Sequence, residues 1–196
     1  MSFLRLLLIF LVLLSGCASP GVAPKDSFYR MSDSEAVTPA DAMLNGILVV
    51  PRFLADGLAN ERPLVYVQAN ALQVLRQYNF HFWSESPTRL IQERTVEYLR
   101  RAKIAPMVVT PEFRAAADYQ LTGKIKRLEQ VRGPSPRAVV SIEFGLYRVR
   151  DNRLLYLETY VQEVPLDGDD IGRAAAAMGS AVMTILSRLT DDLSRL

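Results

Sequence analysis

Ala138-Val139-Val140-Ser141-Ile142-Glu143-Phe144-Gly145-Leu146 carries an apolar side chain at every second position. Ala138, Val140, Ile142, Phe144 and Leu146 therefore share one face of a strand, because strand side chains alternate with period two. Upstream, Asp118 to Gln130 alternates as well. Tyr119, Leu121, Gly123 and Ile125 keep parity and Leu128 falls out of step, which predicts a bulge near Lys126-Arg127. Gly133-Pro134-Ser135-Pro136 supplies a turn between the two segments. Asp151-Asn152 turns the chain into a returning strand over Leu154 to Val164, limited by Pro165. Together the three segments read as an antiparallel meander.

The C-terminus supplies what covers that meander. Ile171, Ala174, Met178, Val182, Ile185, Leu189 and Leu193 recur at steps of three or four. At 3.6 residues per turn this is one apolar stripe about six turns long. Gly168-Asp169-Asp170 precedes it as a cap, and the alanines Ala174 to Ala177 let the helix lie close to a sheet. A second helix is predicted after Ser86-Pro87: Ser86 suits the cap and Pro87 the first turn. In it Leu90, Ile91, Tyr98, Leu99 and Ala102 fall near one side, and Arg100 and Arg101 complement the helix dipole at its end.

The remaining strands are shorter. Phe28 to Met31 is a first strand, and Ser32 to Asn45 reads as a polar loop. Ile47 to Val50 is a continuous apolar run suited to a strand buried on both faces. Leu64 to Ala69 and Leu72 to Trp83 form a hairpin around Asn70, with Val74, Tyr78, Phe80 and Phe82 expected on one face. Met107 to Val109 is a further short strand. The expected fold class is α+β: a single domain with a mostly antiparallel sheet and two long amphipathic helices packed on it, on one face.

Composition narrows the chemistry. The chain has 196 residues, 49% of them hydrophobic and 22% charged, which is globular rather than disordered. With 23 basic and 21 acidic residues, it lacks the concentrated positive charge that nucleic acid requires as a partner. One Cys and one His permit neither an intramolecular disulfide nor a structural zinc cluster. No glycine-rich phosphate loop is present, so the chain is not an ATPase.

The first residues read as an address. Arg5 is followed by nine apolar residues, Leu6 to Leu14. As a helix these cover ~14 Å, about half of the ~30 Å hydrocarbon core, so they suit a secretory signal rather than a span. Leu14-Ser15-Gly16-Cys17 resembles the bacterial lipobox. That resemblance implies cleavage before Cys17, a diacylglycerol on its sulfur and a fatty acyl chain such as palmitate on its amino group. Several acyl chains give lasting attachment where one is marginal. Ala18, not Asp, follows Cys17, which favours the periplasmic face of the outer membrane over retention at the inner one. The expected organisation is a signal peptide over residues 1–16, a lipidated tether over 17–27 and the domain over 28–196.

Tyr78-Asn79-Phe80-His81-Phe82-Trp83-Ser84-Glu85-Ser86-Pro87 and the helix after it resemble the ABC-type transport auxiliary lipoproteins. Val49-Val50-Pro51, Phe53-Leu54, Asp118-Tyr119-Gln120-Leu121 and the C-terminal helix follow in the same order. Phe82 departs from the pattern, since many relatives have a polar or basic residue before the Trp. The resemblance implies an outer-membrane, non-enzymatic accessory subunit of a lipid transport system between the two membranes. Its partner would be the periplasmic transporter component carrying mammalian-cell-entry (MCE) domains. Phospholipid and a second copy of the chain are further partners left open.

Candidate chemistry is sparse. His81 lacks the flanking pattern of a catalytic base, and no Gly-x-Ser-x-Gly elbow is present, so no enzyme is expected. Trp83 and Glu85 admit two roles: a core indole beside a solvated carboxylate at a helix start, or an aromatic anchor at a protein interface. Asp167, Asp169 and Asp170 lack a calcium-loop pattern and suit capping. No metal and no cofactor beyond the lipid on Cys17 is expected. Two other readings stay open: a module that itself carries lipid, along residues 171–193 or the Phe80 and Phe82 face, and a structural envelope lipoprotein unrelated to transport.

Overall fold

In the computed structural model, residues 24–31, 37, 39 and 44–196 are described. The expected signal peptide, Cys17, most of the tether and most of the 32–45 loop lie outside them. Nine strands and two α-helices follow in order: β1 (Ser27–Tyr29), β2 (Ile47–Val49), β3 (Leu54–Ala55), β4 (Pro63–Gln68), β5 (Ala71–Trp83), α1 (Pro87–Arg101), β6 (Met107–Val109), β7 (Tyr119–Arg132), β8 (Arg137–Arg148), β9 (Arg153–Pro165) and α2 (Ile171–Leu193).

The predicted meander is present. β8 pairs antiparallel with β7 on one side and β9 on the other, over nearly its whole length. The bulge falls where the parity break placed it, between Ile125 and Arg127. On its other edge β7 meets three short strands in succession, β2 at Leu48↔Tyr119, β3 at Leu54↔Lys124 and β4 at Val65↔Glu129, all parallel. β4 carries the sheet on to β5 and β1, and β2 carries it on to β6. Thus five of the eight pairings among the described residues are parallel, and the sheet is mixed rather than mostly antiparallel. Tight turns dictate antiparallel neighbours, whereas parallel partners are joined by long crossovers that leave no local signal.

Both helices contribute to one core. Leu90, Ile91, Val96 and Leu99 of α1 join Ala174, Met178, Val182, Ile185, Leu186 and Leu189 of α2 against Leu121, Ile125, Val140, Ile142 and Phe144 of the sheet. Asp170 caps α2 by accepting from the Arg173 backbone N–H at 2.7 Å. Arg100 ties the end of α1 to β6, its Nε donating to the Val108 carbonyl at 2.7 Å. The apolar stripe of residues 171–193 is therefore spent on packing the helix to the sheet.

The β4–β5 hairpin departs from the expected single-face stripe. Phe82 lies opposite Pro63 but Gln77 lies opposite Val65, so extra residues of β5 bulge between these pairs. Phe80 sits in this bulge with φ 92°, a conformation strained for a bulky side chain, and its ring is exposed. A second shift between Tyr66 and Gln68 leaves Leu72, Val74 and Leu75 exposed near the hairpin tip.

Candidate functional site

The segment that carried the resemblance ends β5, and β1 runs parallel beside it with Phe28 opposite Phe82 and Tyr29 opposite Trp83. Alternation puts Phe28 and Phe82 on one face and Tyr29, His81 and Trp83 on the other. The rings of Phe28 and Phe82 stack with centroids 5.7 Å apart. On the opposite face Tyr29 stacks on His81 at 5.8 Å, and its hydroxyl shares a 2.8 Å hydrogen bond with His81 Nδ1. The Ser84 N–H donates to the Tyr29 carbonyl at 2.8 Å. A three-residue strand is thereby clamped on both faces, and His81 serves in the clamp.

Arg62 completes this corner. Its Nε donates to the Trp83 carbonyl at 3.3 Å and its Nη2 to the Ser84 carbonyl at 3.2 Å. These bonds hold the guanidinium 5.4 Å from the centroid of Phe28. Phe28 is 57% exposed, whereas Trp83 is 1% exposed and packed in the core. The indole presents no surface to a partner in this arrangement. Glu85 lies outside, where its carboxylate meets Arg89 at 2.9 Å one helical turn on. Trp83 and Glu85 are thus not brought together. The exposed ring of this corner is Phe28, which sequence reasoning took only as part of a strand. Its pairing with Phe82, 54 residues on, has no local signal.

A second feature lies at the start of α1. Arg52, Arg89, Gln92, Glu93, Thr110 and Glu112 line an open cleft of about 410 Å³. Ser86 occupies the cap position but makes no side-chain bond to the helix backbone. Its hydroxyl is taken by Arg52, which also reaches Thr88 at 3.3 Å. Gln92 is buried and donates to the Val50 carbonyl at 2.9 Å. The Thr110 hydroxyl beside Glu112 holds that carboxyl below its usual range. Among the described residues no three His, Cys, Asp or Glu side chains are grouped to hold a metal ion.

The acidic turn before α2 is engaged in structure. Asp169 pairs with Arg132 at 3.4 Å, and Arg132 lies over the rings of Tyr66 and Tyr78. Tyr78 donates to Gln130 Oε1 at 2.7 Å, and burial pushes its phenol up to about 12. At the other end of α2, Asp192 accepts from Tyr160 at 2.6 Å and from Tyr156 at 3.3 Å, and the two hydroxyls bond each other. Burial and the Asp192 bond push the Tyr160 phenol far upward.

The outer edge of β9 is open. Among the described residues β9 pairs only with β8, so alternate residues along it turn backbone groups outward; of these the Thr159 N–H donates to Glu158, and the Val161 and Glu163 carbonyls accept from Arg188 and Gln162. Leu154, Leu157 and Val161 of this strand are exposed. Such an edge accepts an added strand from another chain. No helix of the described residues is long and apolar enough to cross a membrane.

Comparison with known proteins fits this architecture. Among curated proteins none matches the chain. Protein XCC0632 from Xanthomonas campestris, described as DUF330, superposes with a TM-score of 0.75 at 18% identity, covering 84% of this chain and 92% of that one. A PelC dodecamer subunit from Paraburkholderia phytofirmans gives a TM-score of 0.50 at 15% identity, covering 79% and 94%. At such identities the likeness is one of fold. The family model of the ABC-type transport auxiliary lipoprotein component matches residues 29–190, from β1 into the last turns of α2. The chain belongs to the ABC-type transport auxiliary lipoprotein family.

Proposed function

We propose that the chain is a non-enzymatic subunit anchored through acylated Cys17 in the periplasmic face of the outer membrane, where it docks the MCE-domain component of an intermembrane lipid transporter. The family match over residues 29–190 carries this reading, because it ties the whole domain to transport. The lipobox-like Leu14-Ser15-Gly16-Cys17 and the absence of Asp after Cys17 support the site of anchoring. The free edge of β9 supports docking by strand addition, in which main-chain hydrogen bonds give affinity and flanking side chains give selectivity. The same edge suits a second copy of the chain.

The work is mechanical. The lipid fixes one end, the tether limits reach, and the folded body offers a surface of defined orientation. Purification of the tagged full chain from envelopes in mild detergent tests this. The expected result is an MCE-domain protein, with its ATPase and permease, at a fixed ratio. Recovery of the intact lipoprotein with no transporter subunit would overturn it.

A further inference from the structure

We propose that the corner built by Phe28, Phe82 and Arg62 rests on the surface of the phospholipid bilayer that holds Cys17, so that it sets the orientation of the domain. This rests on the reading that Cys17 is acylated. Covalent geometry carries the first part of the argument. Cys17 and Phe28 are eleven residues apart, and a chain spans at most ~3.6 Å per residue, so Phe28 lies within ~40 Å of the anchoring sulfur. No other exposed aromatic residue of the described domain is so near the anchor in sequence.

Chemistry carries the second part. The Phe28 ring is more than half exposed although it belongs to a strand clamped on both faces. A guanidinium is held beside it by two backbone carbonyls. An aromatic ring next to a fixed cation suits the bilayer interface, where rings sit at headgroup level and cations meet phosphates. Exposed Lys25 and Arg30 flank the corner, opposed by Asp26 and Glu61, so the ring rather than net charge supplies the contact.

The test uses the full lipoprotein reconstituted in phosphatidylethanolamine and phosphatidylglycerol vesicles containing a diazirine-tagged phospholipid. After irradiation, labelled peptides are mapped by mass spectrometry, and the intact mass reports the acyl chains of each sample. Label is expected at residues 24–31 and 80–85. F28S should lower it there at least threefold with the far-UV circular dichroism of the folded domain kept, and F28W should retain it. Acylated protein with no label at the corner, with label unmoved by F28S, or with label concentrated on the β9 edge would overturn the proposal alone. An intact mass without acyl chains would overturn the anchoring reading along with it.

Discussion

Asp192 accepts from two tyrosine hydroxyls where α2 meets β9, and one of these, on Tyr160, is buried. Removing the carboxylate leaves the two hydroxyls only each other as partners and deletes hydrogen bonds to a charged acceptor, a loss of about 1.5–3 kcal/mol. D192A should therefore lower stability to urea by that amount, and an unchanged midpoint would show the cluster to be idle. Tyr78 gives a pH dependence. Its folded-state value of about 12 lies above the ~10 of an unfolded phenol. The unfolded chain loses this proton first, so the contribution is complete below pH ~10 and is lost as pH rises towards 12. Alkaline unfolding curves should show this loss of stability, and Y78F should remove the share of Tyr78 while that of Tyr160 remains. Gly123 faces the Phe53 ring, whose atoms come within 2.6 Å of where a Cβ would stand. G123A should cost about 1–3 kcal/mol through overpacking. Spacing on β7 placed Gly123 on the core face, but the ring that excludes a methyl there comes from a distant segment and left no trace in the local sequence.

Among the elements, α2 and the β7–β8–β9 meander were legible because each repeats its apolar period many times and is bounded by strong turns or caps. L189A in α2 should destabilise by about 2–5 kcal/mol, since Leu189 is fully buried at the helix–sheet contact. Denaturant unfolding checks it. β1, β2, β4 and β6 were read as strands, but β3 and the parallel pairings were not legible. β2 and β3 hold three and two residues, too few for a period, and their partners lie some seventy positions away. The two register shifts of the hairpin, between Pro63 and Val65 and between Tyr66 and Gln68, likewise left no local signal. β9 carries a functional prediction: L157K adds a charge to the exposed strand, and should reduce co-purified transporter about tenfold while leaving the unfolding midpoint unchanged. Retained transporter would move the docking surface elsewhere.

At the scale of the whole molecule, helices cover one face of the sheet, β9 lies at one edge, and the opposite side branches to the clamped β1 and to β6. Of the two roles open to Trp83 the indole takes the core one, and the exposed ring beside it is Phe28. Only tertiary pairing reveals the place of Phe28, whereas the lipidation proposed at Cys17 is read from the linear motif Leu14-Ser15-Gly16-Cys17. The proposed docking role needs Cys17 as the point where the body is held. The most direct measurement is mass spectrometry of the N-terminal peptide of the mature protein purified from membranes. A peptide beginning at Cys17 with diacylglycerol and an additional acyl chain is the predicted result; a mature terminus at another residue, free of lipid, would contradict it.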